Sequence, residues 1–223
     1  MIREVTNWLS YVLNQELKHI TTSTQFLWET PDNKMVKLLP YCYEDRDLYN
    51  WLKENPEALP VVRTYDVTEG VMPENILFYG GKKYLILTME KLYLSDQLFL
   101  NQKIIQDSCE MFNDFVEENY QFPWNSYSII GDLMDSILKQ NEDHQNIIFD
   151  FFRKTNPELL PLVTEMGVIL KRISSHDIYW FDCHVMQFME DENHNLVAID
   201  LDNDLGYRDN ILQHKEEKKL VSC

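Results

Sequence analysis

The sequence predicts an α+β protein in two parts: a small antiparallel sheet interrupted by one helix, then a mostly helical part that carries a late β-hairpin. Short runs of β-branched and aromatic residues separated by turn residues fill the first 91 positions. Apolar residues at helical spacing dominate residues 102–174, and two short apolar runs flank a polar turn near the end. A chain of 223 residues with 44% hydrophobic residues is long enough for one domain or two small lobes.

The first part begins with an amphipathic helix predicted over residues 6–18, whose apolar side chains recur on one face. A second helix is predicted over residues 44–55, because acids occupy its first turn and Pro56 follows its end. In that helix Leu48, Trp51 and Leu52 are spaced for one apolar face. The remaining predicted elements are strands, over residues 19–24, 25–30, 34–39, 61–67 and 75–89, the last folded into a hairpin at Gly80-Gly81.

The second part is predicted to be helical over residues 102–120, 130–141, 145–154 and 159–174, with prolines in the connections. Strands are predicted over residues 185–189 and 195–201. We place the boundary between the two parts after residue 91, which gives parts of residues 1–91 and 92–223.

Charge is the unusual feature of the composition, with 37 acidic against 20 basic residues and a formal net charge of -17. Such a surface repels nucleic acid and anionic membranes and favours basic partners, although solubility alone also explains it. The four cysteines are far apart and form no CxxC pair, which is typical of reduced thiols in a cytoplasm. The charged N-terminus is unlike a signal peptide, so we expect a cytoplasmic protein that binds neither nucleic acid nor a membrane.

Two segments near the end carry the sharpest motif, Phe181-Asp-Cys-His-Val-Met-Gln-Phe-Met189 and Leu196-Val-Ala-Ile-Asp-Leu-Asp202. They resemble the catalytic loop and metal-binding segment of protein-kinase-like proteins, in particular small bacteriophage kinases with an Asp-x-His-x-x-Asn-x-Met loop. The resemblance implies a bilobal kinase-like fold, in which residues 1–91 are the nucleotide-binding lobe and residues 92–223 carry the catalytic hairpin. It also implies ATP and Mg²⁺ as cofactors.

The resemblance assigns roles residue by residue. Asp182 matches the catalytic Asp and His184 the loop His, while Asp200 matches the Asp that holds magnesium. Gln187 occupies the position of the Asn that ligates a second metal, with its amide displaced by one methylene. Asp182 and Asp200 are 200 − 182 = 18 residues apart, about the usual spacing for this pair.

The same resemblance extends to the first part of the chain. Lys37, after Val36 on the third strand, matches the lysine that neutralises nucleotide phosphates. Asp47 is the expected helix acid that holds this lysine, with Glu44 as a substitute. Met89, Glu90 and Lys91 match the hinge, whose backbone would pair with an adenine edge.

Other features leave alternatives open. His176-Asp177 offers a second register for the catalytic loop, in which Asp182 would stand in place of the Asn. The stretch matching the phosphate loop, residues 19–25, has no glycine, and Asp200-Leu201-Asp202 has none at its third position.

Three functions are therefore considered. The first is an ATP-dependent phosphotransferase, a viral kinase acting on a host protein in the host cytoplasm. The second is a catalytically impaired, pseudokinase-like acidic protein that inhibits a basic or nucleic-acid-handling host partner. The third is a small-molecule phosphotransferase of the aminoglycoside-kinase type.

Overall fold

The computed structural model describes residues 2–20, 27–76, 80–176, 178 and 183–201. It shows an α+β protein, as the sequence predicts. Contacts divide the chain into two compact units, the first formed by Met1–Ala58 with Val62–Leu92 and the second by Leu59–Val61 with Tyr93–Cys223. None of the described helices is both long and apolar enough to cross a membrane.

The first unit is built on an antiparallel sheet. Its elements in chain order are helix α1 (Ile2–Leu13), strands β1 (Lys18–Ile20), β2 (Leu27–Glu29) and β3 (Met35–Pro40), helix α2 (Tyr43–Glu54), and strands β4 (Thr64–Val71) and β5 (Lys83–Met89). Among the described residues the strand order is β1-β2-β3-β5-β4. Strand β3 is therefore internal, and its residues pair with β2 on one side and β5 on the other.

The core of the first unit lies between α1 and the sheet. Trp8 and Leu9 of α1 pack in one buried cluster with Trp28 of β2 and Ile86 of β5. The indole Nε1–H of Trp28 donates to Thr6 Oγ1 at 2.8 Å, so this buried polar group keeps a partner. The helix was predicted over residues 6–18 but ends at Leu13, because Asn14 adopts a left-handed conformation with φ of 51°.

The hairpin of this unit differs from the predicted one. Strand β5 pairs with β4 from Thr64 to Val71, while residues 75 and 76 lie outside the strands. Gly80-Gly81 belongs to the connection before β5, and Gly81 has a φ of 73° that favours glycine. Strand β5 thus pairs with the separate strand β4, and residues 77–79 of the predicted 75–89 hairpin lie outside the described residues.

The second unit is mostly helical. Its elements are helices α3 (Asp96–Asp107), α4 (Cys109–Tyr120), α5 (Ile129–Leu138) and α6 (Glu142–Thr155), a 3-10 turn at Pro157–Leu159, helix α7 (Leu160–Ser174), a 3-10 turn at Val185–Gln187, and strands β6 (Phe188–Glu190) and β7 (Leu196–Ala198). Its core contains a cluster of edge-to-face aromatic rings, in which Phe151 lies 5.3 Å from Phe112 and 5.5 Å from Phe115, centroid to centroid.

The single helix predicted over residues 102–120 is two helices in the structure, separated at Ser108. The Ser108 hydroxyl donates to the Ile104 carbonyl at 2.6 Å, an interaction with the preceding turn that often bends a helix. Helix α3 also starts earlier than predicted, because the Ser95 hydroxyl caps it by accepting the Leu98 N–H at 3.2 Å.

Candidate functional site

Lys37 lies on the internal strand β3 of the first unit, where it pairs with Leu27 and Leu87. Only 7% of its surface is exposed. A lysine is rarely buried to this extent unless its ammonium group has a specific partner. The position on the third strand agrees with the sequence prediction, and burial distinguishes Lys37 from an ordinary solvated surface lysine.

The Lys37 charge acts on one carboxyl group of helix α2, that of Asp45. Burial raises the pKa of the Asp45 carboxyl above its usual value, the charge of Glu44 raises it further, and the charge of Lys37 acts in the opposite direction. Lys37 is therefore close enough for its ammonium charge to stabilise the Asp45 carboxylate. Strand β3 and helix α2 bring these two charges together inside one unit.

The two acids that the sequence favoured have other partners. The Asp47 carboxylate is 68% exposed and binds the Arg46 guanidinium at 2.8 Å. The Glu44 carboxylate accepts a hydrogen bond from the Cys42 thiol at 2.7 Å, which lowers the pKa of Glu44. The structure thus points to Asp45 in place of Asp47.

The buried face of α2 explains why sequence reasoning missed Asp45. The predicted apolar face of α2 consisted of Leu48, Trp51 and Leu52. In the structure Tyr49 is buried, with 2% of its surface exposed, whereas Trp51 is only partly buried. Asp45 stands three, four and seven residues before Leu48, Tyr49 and Leu52, the spacing of one helix face. The signal was present in Tyr49, whose ring could have been counted with the apolar residues.

The predicted hinge residues 89–91 lie at the end of strand β5, whose last residue is Met89. Met89 lies opposite Met35 of β3 and Thr64 of β4. The Glu90 N–H donates to the Arg63 carbonyl at 2.9 Å. Since this N–H already has an acceptor, it cannot also donate to an adenine edge in this conformation. The Lys91 ammonium binds Glu29 of β2 at 2.6 Å and holds the pKa of that carboxyl below its usual value.

In the second unit, the open end of the β6–β7 hairpin brings Gln187 and Asp200 to neighbouring positions. Phe188 pairs with Ala198, and the Ile199 N–H donates to the Gln187 carbonyl at 2.9 Å. Asp200 follows Ile199 directly, so the register places it beside the turn that contains Gln187. Two of the predicted metal-binding residues therefore lie at the same end of one hairpin.

Asp200 has a left-handed backbone, with a φ of 56°. A non-glycine residue in this conformation is uncommon and strained, although Asp tolerates it better than most residues. Such strain persists where the surrounding structure demands it, often at functional sites. The conformation turns the chain sharply at the end of the hairpin, at the residue that the sequence assigned to metal binding.

Gln187 has a structural partner as well as a candidate metal role. Its side chain is buried, and its Oε1 accepts the His184 N–H at 3.2 Å across the Val185–Gln187 turn. The Gln187 N–H donates to the His184 carbonyl at 3.0 Å, so the two residues close the turn together. The amide oxygen thus caps the turn, a task that competes with ligation of a second metal ion.

His184 is half-buried and contributes to the wall of a cavity of about 40 Å³ in the second unit. The same cavity touches Ile105, Cys109 and Ser128 from α3, α4 and the start of α5. It is large enough for about one water molecule.

The predicted catalytic Asp182 lies outside the described residues, as does Asp177 of the competing register. Within the described ranges no group of three or more His, Cys, Asp and Glu side chains is arranged to hold a metal ion. Any metal at Asp200 would therefore need ligands beyond these side chains.

No protein-family model matches the chain, and a search of curated proteins finds no match.

Proposed function

We propose that this chain is an ATP- and Mg²⁺-dependent phosphotransferase of kinase-like fold that acts on a protein. The observation that carries the proposal is the buried Lys37 on strand β3, whose charge stabilises the Asp45 carboxylate of helix α2. A strand lysine held by a helix acid is the arrangement that positions nucleotide phosphates in kinases. A lysine can also be buried near an acid for structural reasons alone, so Asp200 of the hairpin supplies the second support.

Asp200 provides that support from the second unit. Asp200 supplies a carboxylate at the end of β7, where it would hold the magnesium ion that neutralises phosphate charge. The catalytic role falls to Asp182, which would orient the attacking hydroxyl of the acceptor and accept its proton.

A second function has one observation in its favour. The Gln187 amide oxygen is used to cap its own turn, which weakens the case for a second metal ligand. Together with the net charge of -17, this favours an acidic, catalytically impaired binding protein that occupies a basic surface of its partner. The two functions differ in whether Mg-ATP binds.

Thermal unfolding with and without Mg-ATP separates them. A ligand at 100 times its dissociation constant stabilises a protein by about 2.7 kcal/mol, which for a chain of this size raises Tm by roughly 5–11 °C. We expect this shift in the wild type, its loss in Lys37→Met, and its retention in Asp47→Asn, a control on helix α2 of the same unit. Wild-type protein without a shift would favour the acidic binding protein.

Transfer of labelled phosphate from ATP to proteins of a host lysate tests the chemistry. Asp182→Asn should keep the Mg-ATP shift and lose transfer, whereas Asp200→Asn should lose the magnesium-dependent shift as well. Equal transfer by the wild type and both variants would show that the motif assignment is wrong.

A further inference from the structure

The surface of helix α3 and its flanking residues exposes a concentration of large apolar side chains. Six exposed apolar residues lie on α3 or close to it in sequence, and we call them together the α3 face: Tyr93, Leu94, Phe99, Leu100, Ile104 and Met111. Their exposed fractions run from 37% to 54%. Among the described residues 14 large hydrophobic side chains are exposed, and these six fall within the 19 positions from 93 to 111. Scattered exposed apolar residues are normal, but a cluster of them marks an interaction surface.

The opposite side of α3 is fixed to the rest of the second unit. Leu98, Gln102 and Ile105 are each at most 5% exposed. The Gln102 side-chain amide donates to the Phe188 carbonyl of β6 at 2.7 Å. Because the buried side of the helix is held in this way, α3 does not rotate to hide Leu100 and Ile104.

The residues before α3 are anchored equally well. Tyr93 exchanges two backbone hydrogen bonds with Glu190 of β6, at 2.8 and 2.9 Å. The Ser95 hydroxyl donates to the Glu190 carboxylate at 2.9 Å. The apolar side chains of Tyr93 and Leu94 are therefore presented outward by a backbone that is bonded to the sheet behind it.

The charge around the α3 face is mainly negative. Residues 93–120 contain six acids and a single base, Lys103, for a net charge of 1 − 6 = -5. Three of the acids, Asp96, Asp107 and Glu110, are exposed beside the apolar residues. Neither α3 nor α4 has a basic residue in its last turn, so the partial negative charge at each helix C-terminus adds to the field.

We propose that the α3 face is a docking site for a basic amphipathic segment of a partner protein. Apolar side chains of the partner would cover Leu100, Ile104 and their neighbours, and its Lys or Arg residues would face the surrounding acids. An apolar centre with a charged rim is the usual composition of such interfaces. An anionic membrane or a second copy of this chain would instead bring like charges against the acids.

Binding of two synthetic helical peptides tests the proposal on the full-length protein. One peptide carries Leu on one face and Lys on the other, and its control carries Glu in place of Lys. Isothermal titration calorimetry should detect the Leu/Lys peptide and not the Leu/Glu peptide. Raising NaCl from about 0.05 to about 0.5 M should weaken the affinity, because exposed charges are screened over a shorter distance.

Paired variants locate the site. Leu100→Ser with Ile104→Ser should weaken the Leu/Lys peptide by about tenfold or more, as expected for residues near the centre of an interface. Val168→Ser is the matched control, since Val168 is 61% exposed on α7 of the same unit and far from α3 in sequence. Because all three side chains are exposed, the variants should fold with wild-type Tm values.

Several outcomes would overturn the proposal. Equal affinity of the double variant and the wild type would place peptide binding elsewhere. Affinity unaffected by salt would contradict the charge argument. A dimer in sedimentation velocity that dissociates in the double variant would identify a second copy as the occupant, and binding of the wild type to phosphatidylserine vesicles through this face would identify a membrane.

Discussion

Shortening Gln187 to Asn should destabilise the second unit. The Gln187 Oε1 accepts the His184 N–H at 3.2 Å, and the residue is 7% exposed. Removing one methylene draws the amide back by about 1.5 Å, the length of one C–C bond, which puts the oxygen beyond hydrogen-bonding distance. The His184 N–H then loses its partner in a partly buried turn, which costs about 1–3 kcal/mol. For a chain of this length Tm falls by roughly 2–4 °C for each kcal/mol, so the expected decrease is roughly 2–12 °C.

Thermal unfolding followed by circular dichroism measures this effect without any ligand. Gln106→Asn is the matched control, because Gln106 is an exposed glutamine on α3 of the same unit. Its substitution should lower Tm by no more than the small difference in helix propensity between the two residues. A Gln187→Asn variant that melts with the control would refute the capping role. The amide would then be free for the metal-binding role that the sequence suggested.

Three further predictions concern buried charge and packing. Asp45→Asn should raise Tm at neutral pH, because the pKa of Asp45 is higher in the folded state than in the unfolded state. Ionisation of Asp45 therefore destabilises the folded protein as pH rises from the unfolded pKa to the folded pKa. The gain in Tm should vanish below the unfolded pKa of about 3.9. Asp132→Asn should behave like Asp45→Asn, since burial is the main cause of the raised pKa of Asp132. The Trp124 Nε1–H donates to the Asp132 carboxylate at 3.0 Å, and the amide oxygen of Asn can accept the same hydrogen bond. A flat difference between wild type and variant across the pH range would contradict both assignments. Phe151→Ala should lower the free energy of unfolding in urea by about 3–5 kcal/mol, because the fully buried ring contacts Phe112, Phe115 and Phe152. The control Val168→Ala, on exposed surface, should change it by less than about 0.5 kcal/mol.

Local patterns in the sequence predicted much of the secondary structure, because they depend on neighbouring residues. The connection between the predicted strands 25–30 and 34–39 is one case, since Asn33 there adopts the left-handed conformation of a tight turn, with a φ of 61°. The helix over residues 44–55 is another, and α2 occupies Tyr43–Glu54. Element ends were predicted less well, as at Ser108, where a hydrogen bond to Ile104 accompanies the division of one predicted helix into two.

The sequence by itself determined the α+β class, the order of a sheet-rich part followed by a helical part, and the position of Lys37 on a strand. The tertiary structure decided which partner each side chain has. The buried face of α2 includes Tyr49, and Asp45 lies on that face. The Lys37 charge therefore acts on Asp45 and not on the exposed Asp47. The tertiary structure also gave the Gln187 amide to the His184 N–H. The physical reason is the same in both cases: residue type and spacing set which groups are able to interact, whereas the packing of helices and strands sets which of them meet at bonding distance.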